Sequence, residues 1–91
     1  MDIKLGNNRF YIGEDQNKPD AFISWVPSGE DKIIIDHTIV NPALEGQGIA
    51  GKLLDKVTDY ARENNLKILA TCGFAVNRMK DNEEYSDVYM G

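Results

Sequence analysis

The 91-residue chain is 42% hydrophobic and 27% charged, which is the make-up of one small globular domain, taken as residues 1–91 with no room for a second lobe. Fifteen acidic against ten basic side chains give a net charge of −5, which argues against nucleic acid as a partner. No apolar run approaches the ~18 residues that span a bilayer, MDIKLGNNRF lacks a signal peptide's apolar core, and a single cysteine and histidine leave neither a disulfide framework nor a metal set. A cytoplasmic protein without membrane contact is therefore expected, and a monomer is the working expectation.

The first forty residues read as strands. Ile3-Lys4-Leu5 and Phe10-Tyr11-Ile12 flank the turn former Gly6-Asn7-Asn8. EDQNKPD (14–20) is a polar loop. Ala21 to Val26 is a third strand, stopped by Pro27-Ser28-Gly29. KIIIDHTIV (32–40) is β-branched and apolar on both faces at its start, which marks a strand central in the sheet, and Asn41-Pro42 ends it.

The period then changes. Ile49, Leu53, Val57, Tyr60 and Ala61 fall on one face of a helix from about Gly48 to Asn64, with Asp55, Lys56, Asp59, Arg62 and Glu63 toward solvent. Asn64-Asn65 reads as its C-cap, and LKILAT (66–71) as the next strand. Strand, helix, strand predicts a right-handed βαβ unit with KIIIDHTIV and LKILAT parallel. A short helix over Phe74 to Lys80 would pack Phe74 and Met79 inward, and Tyr85 to Met90 would return to the sheet edge. The fold expected is α/β in the α+β sense. Its sheet is mixed and mostly antiparallel, with one parallel βαβ unit, one main helix and a short C-terminal helix.

Between strand and main helix lies ALEGQGIAGKLLDKV (43–57). As G-x-x-x-x-G-K it offers Gly46, Gly51 and Lys52. A triphosphate loop then needs a serine or threonine to ligate magnesium, and Leu53 stands there, inside the apolar stripe. As G-x-G-x-x-G it offers Gly46, Gly48 and Gly51. That dinucleotide loop should follow the strand directly and carry an acidic residue ~20 positions on. Five residues, Asn41 to Glu45, intervene instead, and Ala70-Thr71-Cys72 supplies no acid. A tight turn without a ligand is the plain alternative, set against the backbone entropy that several clustered glycines cost.

HTIVNPALEGQGIAGKLL resembles the cofactor motif of the GNAT superfamily of N-acetyltransferases. The likeness lies in layout as well as letters: a central strand, a Pro-containing link, Gly46-Gln47-Gly48-Ile49-Ala50, then an amphipathic helix. The family form Q/R-x-x-G-x-G/A places Glu45, Gly48 and Ala50 at its defined positions. Gly48 and Ala50 fit, whereas Glu45 puts an anion where a cation or amide is usual. The resemblance runs from the hairpins through IDHT and ATCGFA to EEYSDVY and is that of a minimal single-domain branch, without the helices that build the acceptor wall in larger members. Only the loop and its spacing from IDHT are specific.

The resemblance implies an acetyl-CoA-dependent acyltransferase, with coenzyme A as carrier of the acetyl group, no metal, and a small-molecule or protein amine as acceptor. Residues Gly46, Gln47, Gly48, Ile49, Ala50, Gly51 and Lys52 would hold the pyrophosphate at a helix N-terminus. Ile39 and Val40 on the strand, and Asn77 beyond Cys72, would meet the rest of the cofactor. Asn77, Arg78 and Lys80 lie together on the segment after Cys72 where similar proteins contact the cofactor, and a solvated helix face explains all three nearly as well. His37 lies near the C-terminal end of one parallel strand and Cys72 follows the C-terminal end of the other, where ligands sit in α/β units. If those strands splay to admit the pantetheine arm, His37 would draw a proton from Cys72 or from an incoming amine. Against this stand a core histidine and an inert buried thiol. Trp25 and the tyrosines read as packing. A module that binds acyl-CoA without turnover, or a domain whose glycine turn is only a turn, are the other readings.

Overall fold

The computed structural model describes residues 2–91, and its first elements follow the local chemistry of the chain. Strands β1 (Lys4–Gly6) and β2 (Arg9–Ile12) are joined through Asn7-Asn8, with Asn8 at φ 53°, a left-handed conformation that asparagine tolerates. Strand β3 spans Ala21–Ser28 and so runs through Pro27, where a stop was expected. The reason is local: β2 pairs only with Ala21 to Ser24, so Pro27 lies where β3 has no neighbour on that side and its missing N–H breaks no ladder there.

Strand β4 is Lys32–Val40, antiparallel to β3, and β5 is Lys67–Ala70, parallel to β4. The sheet order is β1-β2-β3-β4-β5, a mixed and mostly antiparallel sheet with the single parallel pair that the βαβ spacing implies. Helix α1, Ile49–Glu63, crosses between the parallel strands. Ile49, Leu53, Val57 and Ala61 are buried and Tyr60 is half-buried, as the periodicity predicts, while the charged set from Asp55 to Glu63 is exposed. Leu54 and Thr58 are also buried and widen the stripe; the Thr58 hydroxyl donates to the Leu54 carbonyl at 2.8 Å.

Ile23, Ile35, Leu53, Leu54 and Ile68 are fully buried between this helix and the sheet, each contributing about 1.5–3 kcal/mol by leaving water. Trp25 stands 5.7 Å from Phe10 and 5.3 Å from Tyr60, ring centre to ring centre, so the aromatic residues are core packing. At the helix end the left-handed residue is Asn65 (φ 55°), not Asn64. The Leu66 N–H donates to the Ala61 carbonyl at 2.8 Å and the Asn65 N–H to Arg62 at 3.4 Å, a Schellman closure.

Helix α2 covers Gly73–Met79 and buries Ala75 and Met79. The tail returns to the sheet edge as expected, by a bridge at Tyr89. Glu83–Tyr85 is a 3-10 turn, capped by the Asn82 side chain on the Glu84 N–H at 3.0 Å, and it buries Tyr85. The return to the sheet edge is a single parallel bridge between Tyr89 and Ile68: the Ile68 N–H donates to Val88 and the Met90 N–H to Ile68, each at 2.8 Å. Burying Tyr85 and Val88 from a turn leaves too little extended chain for a strand.

Candidate functional site

Pairing of β4 with β5 runs from Lys32↔Lys67 to Ile35↔Ala70 and stops. Both the Thr71 and Cys72 N–H groups then turn in to the Ile35 carbonyl, at 2.9 and 3.3 Å. Beyond Ile35, residues Asp36 to Val40 keep β3 on one side and have no strand on the other. The parallel strands therefore part at the end where His37 and Cys72 lie.

A β-bulge decides which side chains enter that gap. Trp25 opposes Ile35 and Ser24 opposes His37, so Asp36 is the extra residue, with its carboxylate accepting from the Ser24 hydroxyl at 2.7 Å. A bulge shifts the two-residue alternation by one. Ile33 and Ile35 face α1; after the bulge it is Thr38 and Val40, opposite buried Ile23 and Ala21, that face the helices. His37 and Ile39 are carried to the other face, where the His37 side chain is 65% exposed and its Nε2 lies 4.0 Å from Asp36 Oδ2. Cys72 accordingly meets Thr38, Sγ to Oγ1 3.5 Å, and not His37. Straight alternation from Ile35 would have brought His37 to the helix side, and Ile39-Val40, apolar on both faces, conceals the change of phase in the sequence.

Burial acts on the Cys72 thiol to raise its pKa. Hydrogen bonds with the Thr38 hydroxyl and with the Ala75, Phe74 and Thr38 backbones outweigh it, and the thiol is held below its ordinary value. A lowered thiol pKa makes the nucleophilic thiolate more abundant at neutral pH.

On the helix side of the gap the glycine loop opens onto a cleft of about 410 Å³. Gly46 (φ 83°) and Gly48 (φ 71°) are both left-handed, and a Cβ on either would meet nothing within 4 Å, so conformation and not crowding selects glycine. Gly48 caps α1 without a side-chain hydrogen bond. The first helical bond is from the Lys52 N–H to the Gly48 carbonyl at 3.1 Å. The N–H groups of Ile49, Ala50 and Gly51, all in the cleft wall, are thus the unpaired donors of a helix N-terminus. Small residues, free amides and positive dipole together suit an anionic group such as a pyrophosphate.

Of the residues expected to hold a cofactor, Val40, Gly46, Gly48, Ile49, Ala50 and Gly51 line the cleft. Gln47, Lys52 and Asn77 are exposed outside its wall, and Ile39, 55% exposed, lies on the opposite sheet face. Thr38, Leu44 and Phe74 belong to the wall and are not in the expected set, and Arg78, from the segment it shares with Asn77, belongs to it as well. Phe74 and Arg78 are four apart on α2, the spacing that puts two helical residues on one side. A cleft of about 440 Å³ at the far end of α1 includes Arg62, Lys67 and Asp87. Its charges are already used: Arg62 pairs with Asp87 at 2.8 Å and Lys67 Nζ donates to the Asp87 carbonyl at 2.6 Å.

A family model described as GCN5-related N-acetyl-transferase matches residues 9–88. Among solved structures the chain is similar to a GCN5-like protein from Staphylococcus aureus determined by NMR, at 48% identity over 99% of this chain and 88% of that one, with a TM-score of 0.83. It shares its fold with a Mycobacterium tuberculosis protein crystallised in complex with CoA and NLQ, at 18% identity over 88% of this chain and 56% of that one (TM-score 0.60). Tetrahymena GCN5 is similar in the same way, at 15% identity over 91% and 59% (TM-score 0.61). No match was found among curated proteins.

Proposed function

Because this chain belongs to the GCN5-related N-acetyltransferase family, we propose that it binds acetyl-CoA in the glycine-loop cleft and transfers the acetyl group to an amine. The observation that carries this reading is the juxtaposition of three free N–H groups, those of Ile49, Ala50 and Gly51, with the unpaired strand edge of residues 36–40. The amides suit a pyrophosphate, and an open strand edge suits the amide groups of a pantetheine arm, much as an extended peptide adds to a sheet. Acetyl-CoA supplies, when bound, a thioester whose acyl carbon is open to nucleophilic attack.

The chain's own groups have separate tasks in this reading. Gly46 to Gly51 anchor the phosphates, and the Val40 side of the gap shapes the entrance. Cys72, whose Sγ donates to the Thr38 hydroxyl oxygen at 3.5 Å, is the nucleophile nearest the parting of the strands. Of the two roles expected for His37, the geometry favours the one toward an amine: its imidazole is exposed on the face away from Cys72. The net charge of −5 suits a cationic acceptor.

An NMR titration tests the assignment. Acetyl-CoA and CoA should move the amide signals of residues 46–51 most and raise the unfolding midpoint, since a ligand of the folded state stabilises it. ATP with magnesium should bind far more weakly, and saturable magnesium-dependent ATP binding at the loop would sink the reading. Mass spectrometry after incubation with acetyl-CoA should show one added acetyl group that Cys72→Ala abolishes. Full amine transfer by Cys72→Ala, with no acetylated wild type, would make the thiol a spectator, and tight CoA binding without any transfer would leave a binding module.

A further inference from the structure

Resting on the reading of the cleft as a CoA site, we propose that Arg78 is the chain's pyrophosphate-binding cation, supplied from α2 to do the work of the cation or amide whose loop position Glu45 occupies. Glu45 and Arg78 are both in the cleft wall. The anion at the loop therefore faces a site suited to an anion, and a guanidinium shares that site from another element.

The guanidinium is placed over the first turn of α1. A Cβ at position 51 would lie 2.9 Å from Arg78 Nη2 and 3.5 Å from its Cζ. Gly51 is buried and helical, with no positive φ requiring glycine, so its small size makes room for Arg78. The Gly51 N–H is one of the three free donors, and Arg78 shares the cleft wall with all three of the residues that carry them.

Arg78 also lacks a carboxylate partner: among the described residues none comes within 4.0 Å of its guanidinium, while Arg62 is held by Asp87 at 2.8 Å and Asp59 at 3.4 Å. Its polar neighbour is Tyr85, whose hydroxyl donates to Asp55 at 3.2 Å. In a chain of net charge −5, an arginine left without a carboxylate beside free helix amides is free to bind an anion. Its planar fork can take two phosphoryl oxygens at once in a fixed bidentate geometry that a lysine lacks. Because it overlies the turn carrying the free amides, the phosphate it meets is the pyrophosphate and not the 3′-phosphate of the ribose.

Calorimetric titration of the full chain with CoA and with dephospho-CoA, which lacks the 3′-phosphate, tests this. Arg78 is exposed, so Arg78→Gln should leave the amide spectrum of the free protein in place. Its affinity should fall at least tenfold for both ligands by the same factor. Arg78→Lys should keep part of the affinity, and Glu45→Arg added to Arg78→Gln should restore most of it. Wild-type affinity in Arg78→Gln overturns the proposal and leaves the loop reading intact. A loss confined to CoA overturns it by placing the guanidinium on the 3′-phosphate. Failure of the unmutated chain to bind either ligand overturns the site reading and this proposal together, and is seen before any variant is made.

Discussion

The two halves of β4 share one strand and differ in what surrounds them. From Lys32 to Ile35 it has partners on both sides, and Ile33 and Ile35 are buried against α1. From Asp36 to Val40 it has β3 alone, and its side chains alternate between half-buried and exposed. The first half stabilises the fold through buried apolar surface. The second carries an open edge, a bulge and the thiol's partner, features that cost stability and leave groups free for a ligand. The candidate site is thus built by ending one parallel ladder early while its helix continues to hold both strands.

Removing apolar volume from the paired half should have the largest effect. Ile35→Ala leaves a cavity under α1 at a fully buried position and should cost about 2–5 kcal/mol, read as a drop in the denaturant midpoint. A loss within the range of an exposed substitution would show that the paired half is not the stabilising one.

The next change acts where the strands part. Gly48→Val puts a β-branched residue at φ 71°, costing about 1–2 kcal/mol of backbone strain. It also places a branched side chain where phosphate oxygens would approach the loop backbone, so CoA affinity should fall at least tenfold, about 1.4 kcal/mol, in a domain that remains folded. Unchanged affinity with lowered stability would make the loop a turn and nothing more.

Thr38→Val probes the smallest effect. Burial pushes the Cys72 thiol up and the Thr38 hydroxyl is the first of the groups that pull it below its usual value. Without that hydroxyl the thiol pKa should rise, and the pH midpoint for alkylation of Cys72 should move to higher pH. The sign carries into stability. With the folded pKa below the unfolded one, the contribution is present above the unfolded thiol pKa and is lost as pH falls through the folded value. Thr38→Val should shrink it, and an alkylation profile that does not move would show that the other donors set the thiol alone.

Much of this was legible in the residues. The stripe from Ile49 to Ala61 locates α1 to within a residue at each end, because helix periodicity is a local property. KIIIDHTIV reads as the central strand from its β-branched run, and GQGIAG as the loop from its strand-to-helix context. Pro27 misleads because a proline stops a strand only where a neighbour needs its N–H. Arg78 was visible as a basic residue four beyond Phe74, yet nothing local distinguishes it from Asn77 or Lys80 beside it.

By itself the sequence determined the main elements, their order, the parallel βαβ unit and the glycine loop between strand and helix, all of which follow from propensity, periodicity and turn chemistry within a few residues. Which face each site residue takes was decided only by tertiary structure. The phase of β4 after Asp36 depends on its register with β3, twelve or more positions earlier in the chain, and one extra residue there exchanges His37 for Thr38 beside Cys72. The approach of Arg78 to Gly51 likewise depends on how α2 returns against α1, which follows from the packing of Ala75 and Met79 into a core assembled from every other element. Side-chain identity is a local property, but convergence of side chains is a property of packing.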